Sequence, residues 1–251
     1  MKRFLLFAAL TISFLFISCT DVNNTDEPAV GYNWQSASPE ELGINSLMLN
    51  NGFNAASSKG FINSVIVIRN GKIAGERYFN GRDANSYQTI RSVSKSFLSA
   101  LVGIAISKGI MSLDQKMIDS FPEYQQFVTD TNVNNITLRH LLTMRSGIKG
   151  DEEFYSVFTS SSNWIKTIIE SRLKFTPGSG SLYSTASTHL ISGMLTKAAG
   201  MSAMEFAKVN LFDPMGIVIN DWARDPQGIY FGGNNMIMTT RNMAVLGLLY
   251  L

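Results

Sequence analysis

Residues 65–79 constrain the fold most. Val65-Ile66-Val67-Ile68 and the segment from Lys72 to Phe79 are strand-forming runs separated by Asn70-Gly71, the signature of a two-residue β-turn. A lone hairpin is marginal in water, so this one needs helices packed on it or further strands beside it. The next segments supply helices. Ser92 opens an apolar stretch through Phe97, Leu98, Leu101, Val102, Ile104 and Ala105, which Lys108-Gly109 closes. Further helices are expected over Thr137–Arg145, Asn163–Leu173 and Ala186–Ala199, with Pro177-Gly178-Ser179-Gly180 as a loop. Ser38-Pro39-Glu40-Glu41 carries a helix start, with Ser as cap, Pro in first position and Glu in third. Asn242 to Leu251 reads as an apolar helix with no cap, glycine or polar tail after it. Such a helix needs a partner surface and an ending. With the marginal hairpin, this gives the expectation that the sequence is the front part of a longer protein. No repeat, heptad seam or low-complexity tract interrupts it.

Composition removes several function classes. The 251 residues contain 21 Lys+Arg against 19 Asp+Glu, for a net charge of +2, which argues against a polyanion or nucleic-acid binder working through bulk electrostatics. At 45% hydrophobic the chain can bury a core. One cysteine and two distant histidines make a His/Cys metal or cluster site a poor expectation, and no cofactor is implied. The cysteine has another use. Lys2 and Arg3 precede an apolar run from Phe4 to Ile17, too short for a comfortable membrane span but suited to a signal peptide. Leu15-Phe16-Ile17-Ser18-Cys19 directly behind it resembles a bacterial lipobox. The expected layout is a signal peptide at 1–18, a lipidated Cys19 with a polar tether to residue 33, and a folded domain at 34–251. That layout puts the protein in the bacterial cell envelope, anchored to a membrane through Cys19.

Familiar catalytic motifs are scarce. There is no Gly-x-Gly-x-x-Gly after a strand, no phosphate-binding Gly-Lys-Ser/Thr loop and no paired-His metal motif. Ala105-Ile106-Ser107-Lys108-Gly109 comes nearest to a nucleophile elbow but falls at a helix end. His140 and His189 lie inside expected helices and suit packing better than catalysis. Ser-x-x-Lys remains, and it occurs three times, as Ser92/Lys95, Ser146/Lys149 and Ser171/Lys174. Ser146 sits at a helix exit and Ser171 in a last helical turn, at the negative end of the dipole. Only Ser92 opens a long helix, where the positive end favours a developing alkoxide. A spacing of three puts Lys95 on the same face one turn deeper, where its amine can serve as the serine's base. Spacing alone still leaves a plain capping serine and a solvated lysine as the slightly stronger reading.

A resemblance shifts that balance. Ile90-Arg91-Ser92-Val93-Ser94-Lys95-Ser96-Phe97 resembles the nucleophile motif of the serine β-lactamase and penicillin-binding-protein superfamily. Ile136 to Gly147 is similar to the segment linking helices in its class C branch. Pro177-Gly178 followed by Tyr183-Ser184-Thr185 resembles that branch's tyrosine motif. Leu211 to Ile217, and Gly232-Gly233 before Met238-Thr239-Thr240, match as well. The nearest likeness is to the 6-aminohexanoate-dimer hydrolase and esterase subgroup. The resemblance implies an α+β fold, an α/β sandwich of the β-lactamase/transpeptidase type. On that pattern an antiparallel sheet would be flanked by helices beside an all-helical lobe, with the later strands expected to be missing from this chain. It also implies a serine hydrolase for small esters, amides or cell-wall peptides. Ser92 would be the nucleophile, Lys95 its base, Tyr183 the proton donor to the leaving group, and the Ser92 N–H an oxyanion donor. Thr185 would contact substrate where the family usually has Asn, which favours esters and simple amides over β-lactams. The alternatives are a non-catalytic binder of peptidoglycan-like peptides and an inactive relic on the same scaffold.

Overall fold

The computed structural model describes residues 31–251. The expected signal peptide, Cys19 and most of the expected tether therefore lie outside the described residues. In chain order the elements are α1 (Ser46–Ser57), β1 (Ser64–Arg69), β2 (Lys72–Tyr78), β3 (Gln88–Thr89), α2 (Val93–Ser107), α3 (Leu138–Leu142), α4 (Asp151–Thr159) and α5 (Trp164–Glu170). They continue with α6 (Thr185–Ala199), α7 (Ala203–Ala207), a π turn at Lys208–Phe212, α8 (Asp213–Met215), β4 (Ile219–Trp222), β5 (Met236–Met238) and α9 (Thr240–Leu248).

The hairpin forms as the sequence predicts. β1 and β2 pair antiparallel from Ser64↔Tyr78 to Arg69↔Lys72, and Asn70 and Gly71 take the left-handed φ values of 52° and 73° that this turn requires. A bulge at Val67/Ile68 shifts the register. Helix α1 crosses one face: a Cβ on Gly75 would lie 3.0 Å from Leu49 and 3.2 Å from the Phe53 ring, so glycine permits the close approach. Helix α9 packs on β1, with Ser64 Oγ 2.7 Å from Thr240 Oγ1. A second sheet is smaller and joins distant segments in the order β3-β5-β4, antiparallel throughout. The expected antiparallel sheet is thus present as two pieces among the described residues.

Helix α6 is the axis of the helical lobe. Every residue from Thr185 to Leu195 is buried, as befits a helix surrounded on all sides. Gly193 lets it meet α5 and Phe121 closely, since a Cβ there would fall 2.9 Å from both Ile165 and the Phe121 ring. Trp164 and Phe231 meet the buried His189 ring edge-to-face, while Phe158 stacks on it and meets both Trp164 and Phe231 edge-on.

Several boundaries differ from expectation. Ser38 and Glu41 form the anticipated capping contacts, with Ser38 N and Oγ each donating to Glu41 Oε2 at 2.8 Å. They close only one turn, because Gly43 turns left-handed at φ 67° and the helix starts afresh at Ser46 under an Asn45 cap. Helix α3 begins at its Thr137 cap but stops at Leu142 rather than Arg145, because Met144 adopts φ 58°. Helix α5 ends at Glu170 because the backbone becomes extended at Ser171. Helix α9 starts at Thr240, two residues before the expected Asn242, because Thr239 caps it through Asn242 N.

An ion pair ties the hairpin to α9. Arg241 Nε donates to Glu76 Oε2 at 3.0 Å, its Nη2 reaches Oε1, and Tyr78 OH donates to Oε2 at 2.8 Å. The Arg241 hydrogen bond, with help from Tyr78, holds the Glu76 carboxyl below its ordinary 4.5 despite opposing burial. Burial and the Glu76 carboxylate push the Tyr78 phenol up to about 12. A carboxyl lowered on folding stabilises the fold above its unfolded value, and that contribution is lost as pH falls through the folded value. Thermal melts are therefore expected to show an acid loss below about pH 4.5. In Glu76→Gln that component should disappear, with stability near neutral pH falling by about 1 kcal/mol.

Candidate active site

Ser92 is delivered by a strained turn. Strand β3 pairs with β5, Ile90 N donates to Met236 O at 3.0 Å, and the buried Ser94 hydroxyl donates to Arg91 O at 2.7 Å and accepts from Met236 N at 3.3 Å. Between these anchors Arg91 takes φ 48°, a conformation that costs a non-glycine residue about 1–3 kcal/mol. The strain leaves Ser92 exposed at the head of α2. Its side chain makes no capping bond, which removes the plain-cap reading, and its backbone N–H donates no hydrogen bond among the described residues.

The Ser92 hydroxyl is the meeting point of two side chains. Lys95 Nζ donates to Ser92 Oγ at 3.1 Å, and Tyr183 OH donates to the same oxygen at 2.8 Å. Lys95 Nζ also lies 4.9 Å from the centre of the Tyr183 ring. It donates further to Thr185 Oγ1 at 3.0 Å and to the carbonyl oxygen of Gly233 at 2.7 Å. All four residues singled out from the sequence for the folded domain thus converge, although Tyr183 and Thr185 stand about 90 positions from Ser92 and Lys95. Tyr183 is half exposed and Thr185 is fully buried. A cavity of about 500 Å³ is lined by Tyr183 together with Gly150, Asp151, Glu152, Glu153 and Leu182.

The other two Ser-x-x-Lys pairs do not assemble. Ser146 is buried and bonds Ser187 Oγ at 2.9 Å, while Lys149 lies over the Phe154 ring. Ser171 bonds Arg172 O, and Lys174 pairs with Glu153 at 2.8 Å. Neither histidine reaches Ser92. His140 completes the α3 capping box, and His189 Nε2 lies 3.0 Å from Asp225 Oδ2 in the lobe core. Among the described residues no group of three or more His, Cys, Asp and Glu side chains gathers to hold a metal.

Two contributors escaped the sequence reading. Asp151 accepts from Thr185 N and from Thr185 Oγ1, each at 2.6 Å. Its only local signal was the acidic run Asp151-Glu152-Glu153 after a glycine, which suits the positive end of a helix and here starts α4. The second is the Gly233 carbonyl. The Gly232-Gly233 pair was noted in the sequence, but only the fold shows why side chains are missing there. A Cβ on Gly233 would lie 2.4 Å from Thr188 Oγ1, 2.6 Å from Thr185 Cγ2 and 3.1 Å from Lys95 Nζ.

Comparison with known proteins places these features in a family context. Residues 63–250 match the family model Beta-lactamase. The beta-lactamase of Escherichia coli K12 is 29% identical over 127 residues, covering 49% of this chain and 32% of the relative. Penicillin-binding protein 4* of Bacillus subtilis 168 is 28% identical over 144 residues, covering 53% and 30%. The chain spans less than half the length of the curated relatives it matches. A Bacillus anthracis structure assigned as a 6-aminohexanoate-dimer hydrolase superposes with a TM-score of 0.69 at 18% identity, over 89% of this chain and 63% of its own. At that identity the likeness speaks for the fold.

Proposed function

Because this chain belongs to the beta-lactamase family, we propose that it is a serine hydrolase working through an acyl-enzyme on small esters, simple amides or cell-wall peptides. The carrying observation is that one exposed serine oxygen accepts from both Lys95 Nζ and Tyr183 OH. In the proposed reaction Ser92 Oγ bonds to the substrate carbonyl carbon while its proton passes to Lys95 Nζ, which acts as base once it has given up a proton and no longer donates to Ser92 Oγ. The Ser92 N–H, which donates no hydrogen bond among the described residues, steadies the oxyanion. Collapse breaks the bond to the leaving oxygen or nitrogen, which takes the Tyr183 proton. Water then attacks the acyl-enzyme and gives a proton to the Tyr183 phenolate. Lys95 returns its proton to Ser92 Oγ as the ester bond breaks, so every group ends as it began.

Thr185 offers Lys95 a hydroxyl where the resembling enzymes use an amide, and its one proton already goes to Asp151 Oδ2, so it has none to give a substrate amide as the asparagine NH2 does. Activated esters are therefore the expected first substrates. With p-nitrophenyl butyrate the protein should release about one equivalent of p-nitrophenolate in a burst, followed by slower steady release. No release from esters, together with no covalent capture by a penicillin probe, would overturn the proposal.

A further inference from the structure

We infer that Asp151 is a positioning residue that aims the Lys95 lone pair at Ser92 by fixing the direction of the Thr185 hydroxyl; this rests on the serine-hydrolase reading above. A threonine hydroxyl has one proton and two acceptor positions, whereas a carboxylate only accepts. Thr185 Oγ1 lies 2.6 Å from Asp151 Oδ2, so the hydroxyl proton belongs to that bond. The other carboxylate oxygen takes Thr185 N at 2.6 Å, which pins the carboxylate at two points and stops it from turning away. Toward Lys95, Thr185 Oγ1 then acts as an acceptor alone.

The consequence follows from counting protons. In the unprotonated form that the proposed base step requires, Lys95 keeps two N–H bonds and has one lone pair, and its contact with Ser92 Oγ reverses, the serine hydroxyl donating to the amine. Its partners are Gly233 O at 2.7 Å, Thr185 Oγ1 at 3.0 Å and Ser92 Oγ at 3.1 Å. The first can only accept, and Asp151 makes the second accept only. Both N–H bonds are committed there, and the lone pair is left for the serine proton. Without Asp151 the Thr185 hydroxyl is free to rotate and donate to that lone pair, which blocks the base while disturbing no heavy atom.

Local packing serves the clamp. Asp151 is the first residue of α4, and its backbone N donates to Tyr183 O at 3.2 Å. Gly150 before it allows the approach, since a Cβ there would sit 3.1 Å from Leu182 Cγ and 3.3 Å from Tyr183 O.

Asp151→Asn is the sharpest variant. It keeps the shape and an oxygen for Thr185 N, but presents an N–H to Thr185 Oγ1 and so turns the hydroxyl proton toward Lys95. The rate of fluorophosphonate labelling at Ser92 and the kcat for p-nitrophenyl butyrate are expected to fall by about 10²-fold, with KM and melting temperature near the parent's. In a Thr185→Val background the hydroxyl is gone, and Asp151→Asn should cause no further loss. A purely structural role would act through the Thr185 backbone N–H, which valine retains, and would persist there. Unchanged labelling in Asp151→Asn, or an equal loss in both backgrounds, overturns this inference while leaving the hydrolase reading intact. Failure of the unmodified protein to label at Ser92 overturns both. Should Asp151→Asn fold poorly, Thr185→Ser against Thr185→Val tests the same hydroxyl. Serine should stay close to the parent rate, and a serine variant as slow as the valine one would overturn the inference.

Discussion

Lys95→Met is expected to lower the rate of acylation at Ser92 by about 10²–10⁴-fold, the usual worth of a positioned general base. Methionine approximates the length and volume of the lysine side chain, so α2 and its packing on the core should persist. What disappears is the group that touches Ser92 Oγ, Thr185 Oγ1 and Gly233 O together. Two buried acceptors then lose their donor, at a cost of about 1–3 kcal/mol. Melting temperature should therefore fall as well, in contrast to Asp151→Asn. Lys95→Arg is not expected to rescue the rate, because a guanidinium keeps its proton and cannot act as a base. A Lys95→Met protein that labels at the parent rate would remove lysine from the mechanism and leave Tyr183, the other partner of the serine oxygen, as the base.

Gly232→Ala should be strongly damaging to both fold and site. Its Cβ would lie 2.1 Å from Thr188 O and 2.9 Å from Ser192 Cβ, both on α6. The first is a main-chain oxygen in the buried first turn of α6, so no rotamer change relieves the clash. Overpacking ordinarily costs about 1–3 kcal/mol, and a backbone clash belongs at or above the top of that range. For a chain of this size about 3 kcal/mol corresponds to a fall of about 6–12 °C in melting temperature. Activity should fall too, because moving this segment away from α6 withdraws the Gly233 carbonyl from Lys95. Calorimetry and ester hydrolysis on the same preparation read both effects. A variant that melts with the parent would mean that the Gly232 segment and α6 are not packed this closely.

These two variants mark what the sequence could reveal. Ser92 and Lys95 are one helical turn apart, so their meeting follows from a local rule, as does the Asn70-Gly71 turn of the hairpin. The caps at Thr137, Asn163 and Ser184 place helix starts within a residue or so of the expectation. Tyr183 and Thr185 were found by resemblance, since no local pattern links a segment after a Pro-Gly loop to a helix 90 positions earlier. Asp151 and the Gly233 carbonyl stayed hidden for a related reason. One is an ordinary acidic residue at a helix start, and the other is main chain, 138 positions from Lys95. Strands β4 and β5 are four and three residues long, too short to show alternation, and exist because distant segments pair with them. The Ser38 turn failed to become a helix because a capping box fixes a start, not a length, and Gly43 ended it.

The central claim is that Ser92 becomes covalently modified, and mass spectrometry of the intact protein after exposure to a fluorophosphonate tests it most directly. The account predicts a mass gain equal to one phosphonyl group, fluoride having left, and fragmentation that locates it on the Ser92 oxygen. It also predicts no gain in Ser92→Ala. An unmodified parent, a modification on another residue, or an undiminished gain in Ser92→Ala would contradict it.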